Sequence, residues 1–338
     1  MKNRMLALSA LVALSVVLGS GARAENMMSL AIAPGSAEVK LVPHWTVGSG
    51  VAGFTFLAQN LGLGAPGQFY SLKGTTIPSG GDRTAFTRYD PLTGVAVIHP
   101  DLGSKLTPDS YSALTSADPN LGFGAINMYM IHHRPTGDYF TALVPGAGVT
   151  STVSDLKPMA GPGGPATAGA KGYFALTFAA ADMGYGANSI YYLRSDPVTG
   201  TNFGSLVPAI AGGSTDRFAL GFGGHIALAY AFADFGWGLN QMYYLRLDDD
   251  TGYTILGTLN PATGKTGDIA NLGGVFATLA HFPADIGFAV NQFYVTGVAN
   301  PTGQTVSFAP IADRAISAGS FKVPAMRSSG ASTWTPCL

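Results

Sequence analysis

The sequence predicts an all-β fold, a β-propeller of four-stranded blades closed by pairing its two ends. Three observations predict it. A unit of about 50 residues recurs along the chain, the spacing expected of propeller blades. Each unit reads as short apolar runs cut by Gly, Asp and Pro turns. The two ends of the chain each carry the half of a unit that the other lacks.

The repeat is carried by Asp182-Met-Gly-Tyr-Gly-Ala-Asn-Ser-Ile-Tyr-Tyr-Leu193, Asp234-Phe-Gly-Trp-Gly-Leu-Asn-Gln-Met-Tyr-Tyr-Leu245 and Asp285-Ile-Gly-Phe-Ala-Val-Asn-Gln-Phe-Tyr-Val295. Earlier copies start at Asn120 and, with one extra residue, at Asn60. About six residues before each lies an apolar residue: Phe54, Leu114, Leu176, Leu228, Leu279. After each comes a Thr-Gly pair, at Thr93-Gly94, Thr136-Gly137, Thr199-Gly200, Thr251-Gly252 and Thr302-Gly303, and then an apolar run ending in Pro. The Asp-x-x-Thr-Gly pattern at Asp90, Asp196 and Asp248 is a hairpin signal, because Asp can accept its own downstream amides while Gly supplies a positive φ. Four antiparallel strands repeated radially make a blade. No sustained 3.6-residue period argues for helices.

At the ends, residues 28–43 resemble the second half of a unit and residues 313–326 the first half. This predicts a composite blade sealed by N- and C-terminal strands, which removes exposed sheet edges. Five whole units plus that composite make six blades; five blades is the alternative. Two insertions, Lys73 to Thr87 and Ser151 to Lys171, break the period and are expected as surface loops.

Composition agrees. Gly numbers 46, Pro 21, aromatics are 11% and charged residues only 11%, with net charge −1. There is no basic stripe, so nucleic acid is not expected as a partner. Lys2 and Arg4, the apolar run Met5 to Leu18 and Ala22-Arg23-Ala24 read as an export signal cleaved near Ala24. The remainder holds no stretch of about 18 apolar residues, the length of a spanning helix. The expected organisation is a signal segment over 1–24, one propeller over 25–326 and a tail over 327–338, in a secreted or periplasmic protein. The single Cys337 can form no internal disulfide, so burial and strand pairing must hold the fold.

The repeat resembles repeats of uncharacterised exported bacterial proteins, and the architecture it implies is similar to that of propeller lectins. No lectin motif stands at matching positions, and the Trp-Asp dipeptide of another propeller class is absent. The resemblance therefore carries over no site residue.

Three columns of the repeat are candidates for function. Asp182, Asp234 and Asp285 can cap a turn or meet a ligand at one face. Phe123, Tyr185, Trp237 and Phe288, flanked by small residues, can stack on a sugar or fill the seam between blades. Tyr70, Tyr129, Tyr191, Tyr243 and Tyr294 read as core. His132 and His133 are adjacent, and neighbours in a strand face opposite ways, so no metal pair is expected. His281 replaces an aromatic and reads as packed. No cofactor is expected; Ca²⁺ is the one ion that the Asp column or the acidic turn Asp248-Asp249-Asp250 could hold. No nucleophile elbow, phosphate loop or His-Glu-x-x-His is present. These features predict a non-catalytic binding protein for a glycan or surface partner. An envelope scaffold is the first alternative. A glycoside hydrolase or lyase is the second, and it would require carboxylates such as Asp138, Asp155 or Asp268 to converge.

Overall fold

The fold is described from a computed structural model, over residues 25–32, 38–48, 50–57, 67–76, 82–90, 93–99, 110–117, 127–134, 136–144, 152–159, 172–179, 189–206, 214–231, 241–282, 292–299 and 306–307. The strands form five antiparallel sheets, four of them with four strands and one with five.

Blade 1 runs β3 (Val51–Leu57), β4 (Gln68–Thr76), β5 (Asp82–Tyr89) and β6 (Ala96–His99). Blade 2 runs β7 (Ser110–Ala117), β8 (Asn127–Arg134), β9 (Gly137–Val144) and β10 (Thr152–Pro158). Blade 3 runs β11 (Tyr173–Ala179), β12 (Ser189–Asp196), β13 (Gly200–Leu206) and β14 (Thr215–Gly221). Blade 4 runs β15 (His225–Ala231), β16 (Gln241–Leu247), β17 (Thr254–Leu259) and β18 (Thr266–Asn271). Blade 5 is composite. Its first two strands, β19 (Gly274–Phe282) and β20 (Gln292–Ala299), come late in the chain, and the next two, β1 (Glu25–Ile32) and β2 (Glu38–Gly48), come first.

The propeller therefore has five blades, not the expected six. The seal is direct: β1 pairs with β20 from Asn26↔Gly297 to Leu30↔Phe293. It takes the place that a third strand from the same unit would fill. The unit headed by Gly287 contributes only its first half, so that unit and the composite are one blade. The chain beyond β20 is displaced outward, where β21 (Val306–Ser307) adds to the free edge of β2 as a fifth strand. Residues 1–24 and 313–338 lie outside the described residues.

The insertions differ from expectation as well. Much of Lys73 to Thr87 is ladder, since β4 and β5 pair as far as Thr76↔Asp82 and prolong one hairpin. Residues 152–158 form the outermost strand of blade 2.

The first strands β3, β7, β11, β15 and β19 pack side by side into a ring. Aligned through their bulges, they begin Val51, Tyr111, Tyr173, His225 and Phe276, all buried. Threonines staple three of the seams. Thr55 Oγ1 accepts the Ser116 amide at 3.2 Å, Thr115 the Phe178 amide at 3.1 Å and Thr177 the Tyr230 amide at 3.1 Å. The tyrosine column is core, as expected. Tyr70, Tyr129 and Tyr191 stack on Phe86, Phe140 and Phe203 with centroids 5.0 to 5.5 Å apart, and Tyr243 meets Phe293 edge-on at 4.6 Å. Burying a side chain of this size contributes about 2–3 kcal/mol, once per blade.

The hairpin chemistry also holds. Asp196 accepts the Val198 amide at 2.8 Å and Asp90 the Thr93 amide at 2.9 Å, while Gly94, Gly200 and Gly252 have positive φ.

Candidate functional site

The site grows out of a seam that every blade repeats. A side chain near the start of each third strand faces the backbone where the next blade begins. Thr84 accepts the Tyr111 amide at 3.4 Å and Thr254 the Phe276 amide at 2.9 Å. In the composite blade Glu25 does the same work, accepting the Gly50 amide at 2.7 Å. Burial raises the Glu25 pKa, partly offset by its hydrogen bonds from the backbone. Thr201 occupies the position in blade 3.

In blade 2 that position is Asp138. One carboxylate oxygen makes the inter-blade latch, accepting the Tyr173 amide at 2.8 Å. A carboxylate has a second oxygen, which threonine lacks. That oxygen lies 2.7 Å from His133 Nδ1, and His133 Nε2 lies 2.6 Å from Ser112 Oγ. An ionised carboxylate only accepts, so Nδ1 carries the proton. In the neutral imidazole Nε2 is then the acceptor for the Ser112 hydroxyl. The three groups form a continuous proton relay in which a hydroxyl faces a base and the base is oriented by a buried acid. The relay is open to solvent at its histidine, whose side chain is 29% exposed, and closed at Asp138, at 11%.

Strand geometry explains the assembly. His133 pairs with Asp138 across the β8–β9 hairpin, and on its other side with Ser110, two residues from Ser112 on the same face. A bulge lies between Ser112 and Leu114. Ala113 sits in it at φ 48°, the one non-glycine residue with positive φ among the described residues. Such strain costs of order 1–3 kcal/mol and collects at functional sites. Blade 1 shapes the bulge from outside. A Cβ on Gly53 would stand 2.7 Å from the Leu114 amide nitrogen and 2.9 Å from the Ala113 carbonyl carbon, so only glycine lets the two strands approach.

His132 points the opposite way, as adjacency in a strand requires. It stacks on Tyr111 at 4.1 Å and bonds Asp155 at 2.9 Å. Asp155 also accepts Thr141 and pairs with Arg134, both at 2.7 Å. Burial pushes the Asp155 pKa up, but Thr141, His132 and Arg134 outweigh it and hold the carboxyl below its ordinary value. This cluster is structural, because two other blades repeat it. Arg194 pairs with Asp216 and Asp196, and Arg246 with Asp268. Tyr192 and Tyr244 donate to the same aspartates, Asp216 and Asp268, at 2.9 and 2.7 Å. Each tyrosine lies over a third-strand glycine, Gly204 or Gly257, whose missing Cβ leaves room for the ring.

Ser112 and His133 have no such echoes. The residues matching Ser112 on the other first strands are Ala52, Phe174, Ile226 and Ala277, all half-buried. Those matching His133 are Gly74, Ser195, Leu247 and Val298. The constellation is where the repeat is broken.

The repeat columns singled out from sequence, Asp182, Asp234 and Asp285 with Phe123, Tyr185, Trp237 and Phe288, fall between the first and second strands of their blades, outside the described residues. Two of the carboxylates whose convergence a glycosidase would need, Asp155 and Asp268, are not brought together. Asp155 and Asp268 hold equivalent places in blades 2 and 4, each bound to its own cation. Among the described residues no group of three His, Cys, Asp or Glu side chains is placed to hold a metal ion. His281 packs edge-on against Phe293 at 5.4 Å.

No family model and no curated protein sequence matches the chain. Two solved structures, each described as a glucose dehydrogenase, are similar to it in outline. Both are 12% identical over 82% of this chain and 98% of theirs, with TM-scores of 0.42 and 0.43. The expectation of a non-catalytic binding protein is corrected. The singular constellation in the described residues is a proton relay rather than a repeated ligand position.

Proposed function

We propose that the protein is a serine-dependent hydrolase or acyltransferase, with Ser112 as nucleophile, His133 as general base and acid, and Asp138 as the carboxylate that orients His133. The observation that carries this reading is the unbroken chain Ser112 Oγ, His133 Nε2, His133 Nδ1, Asp138 Oδ1 at 2.6 and 2.7 Å.

Ser112 Oγ attacks the carbonyl carbon of an ester as its proton passes to His133 Nε2. The C–O bond to the alcohol breaks, and the imidazolium returns the proton to the leaving oxygen, leaving an acyl-serine. Water, deprotonated by His133, then releases the acid and restores the hydroxyl. Asp138 keeps the productive tautomer and stabilises the imidazolium, while its other oxygen stays fixed on blade 3. Three features support the reading. The constellation is confined to one blade of five. Ser112 adjoins the strained Ala113. His133 is accessible, whereas His132 is buried. Because the N-terminal segment reads as an export signal, the proposal places this activity outside the cytoplasm.

The test is labelling of the purified protein with a fluorophosphonate, followed by peptide mass spectrometry, together with hydrolysis of p-nitrophenyl acetate. Label on Ser112, and a loss of turnover of roughly 10³-fold or more in Ser112→Ala and His133→Ala, is the expected result. Folded protein that takes no label at Ser112 and turns over no ester overturns the assignment.

A further inference from the structure

Each first strand carries a bulge, and blade 2 carries it in a different place. In blade 1 the ladder passes from Val51↔Lys73 to Gly53↔Leu72 and leaves out Ala52. Blades 3, 4 and 5 leave out Phe174, Ile226 and Ala277 in the same way, each the residue after the buried Tyr173, His225 or Phe276. Counted from the buried Tyr111, the equivalent residue in blade 2 is Ser112. Yet Ser112 stands in the ladder, opposite Ile131, and the residue left out is Ala113. The bulge has moved by one residue.

The displacement decides where Ser112 faces. Successive residues of a strand point to opposite sides. Tyr111 and His132 are paired and share one side, where their rings stack at 4.1 Å. Ser112 and Ile131, the next pair, share the other side, which is also that of His133. Set aside in a bulge, as its counterparts are, Ser112 would have no ladder partner to hold it at 2.6 Å from His133 Nε2.

Two features keep the bulge in its unusual place. Ala113 adopts φ 48°, whereas its counterparts Gly53, Ala175, Ala227 and Thr278 have no positive φ. Alanine tolerates that region at some cost, but a β-branched residue there is an outlier. Blade 1 supplies the second feature. Gly53 is the one member of this column without a Cβ, and it lies against the bulge, where a Cβ would stand 2.7 Å from the Leu114 amide nitrogen.

We propose that Ala113 is a positioning residue: its left-handed conformation holds the bulge one residue later than in the other four blades and so presents Ser112 to His133. Blade 2 keeps access to the common register, in which Ser112 is set aside, Ala113 lies opposite Ile131 and the propeller remains folded. That register accepts a β-branched residue at this place, since Thr278 fills it in blade 5. The catalytic meaning of this positioning rests on the serine relay proposed above.

The experiment compares Ala113→Thr with Ala113→Gly in the full chain, with thermal melting to establish folding. Fluorophosphonate labelling of Ser112 is expected to slow by roughly 100-fold or more in Ala113→Thr, the loss of a positioned general base. It should stay within about threefold of wild type in Ala113→Gly, because glycine adopts positive φ freely. A second readout does not require Ser112 to be a nucleophile in the native protein. Ser112→Cys, with Cys337→Ala to remove the chain's other thiol, is alkylated with iodoacetamide as a function of pH. A thiol against an imidazole ionises well below its ordinary pKa of about 8.5, and adding Ala113→Thr is expected to restore that ordinary profile. A folded Ala113→Thr protein that labels at the wild-type rate and keeps the low thiol profile overturns the positioning role. An Ala113→Thr chain that does not fold overturns the claim that the common register is open to blade 2. Equal losses in Ala113→Gly and Ala113→Thr overturn the conformational argument. Wild-type protein that takes no label at Ser112, together with a low thiol profile abolished by Ala113→Thr, removes the hydrolase reading and leaves the placing of Ser112 by the bulge standing.

Discussion

Asp138 does two jobs with two oxygens, and Asp138→Thr separates them. Threonine is what blades 1, 3 and 4 carry at this position, at Thr84, Thr201 and Thr254. The introduced hydroxyl can still accept the Tyr173 amide, as Thr254 accepts Phe276 at 2.9 Å. The latch survives as a neutral bond in place of a charge-assisted one, a loss of about 1 kcal/mol. That corresponds to a melting shift of roughly 2–4 °C in a domain of this size. The relay does not survive. His133 Nδ1 loses its acceptor at 2.7 Å, the tautomer is no longer fixed, and the imidazolium formed on attack has no counter-charge. Losing that role costs about 10⁴-fold in turnover in the well-studied serine-protease example. The assay pairs the rate of fluorophosphonate labelling with a thermal melt. A small melting shift with labelling slowed by orders of magnitude is expected. Labelling at the wild-type rate in the folded variant would refute the orienting role. A collapse in stability would refute the claim that the second oxygen serves chemistry rather than the seam.

Two further outcomes concern buried charge. Burial depresses the pKa of His44 and His225 to about 4 and of His281 to about 3. The folded state thus resists protonation that the unfolded chain, at 6.5, accepts. The stability these groups supply is complete above pH 6.5 and drains away as pH falls toward 4 and then 3. At pH 5 each accounts for a loss of up to about 2 kcal/mol, readable as a lower urea midpoint than at pH 7. Asp216→Ala leaves Arg194, which is 2% exposed, with Asp196 alone at 3.2 Å, and should cost about 3 kcal/mol. Asp268→Ala removes the nearer partner of Arg246, a guanidinium 21% exposed beside an aspartate at 42%. Water already screens that pair, so about 1 kcal/mol is expected. Melting curves of the two variants give the ranking.

Much of the architecture is legible in the sequence because it is periodic. The tyrosine column and the Asp-x-x-Thr-Gly hairpins can be read from spacing, since the same side chain recurs wherever the same pocket or turn recurs. The blade count goes astray because the counted motif marks only the first half of a unit. The Gly287 copy therefore looks like a full blade, although its second half is supplied by residues 25–48. The relay is illegible for the opposite reason. A search for recurring columns passes over Ser112, which stands among alanines, a phenylalanine and an isoleucine, and over Asp138, which stands among threonines. His133 stands out only as the neighbour of His132. The usable signal is departure from the column: a carboxylate replacing a threonine, with a histidine five residues before it. Even then, the placing of Ser112 beside that histidine depends on a bulge at Ala113 that spacing does not disclose.

The zipper between residues 26–30 and 293–297 would set an order of events for a chain exported as proposed, threading through a membrane from its beginning. The strand that emerges early can pair with β2 at once, but its other edge has no lasting partner until almost everything behind it has crossed. Its apolar face, with Met28 and Leu30, must wait out that interval unprotected. Rapid closure of the other four sheets cannot shorten it. A helper that shields this segment, or a rearranged gene in which it is encoded after residue 299, would remove the most exposed step of maturation.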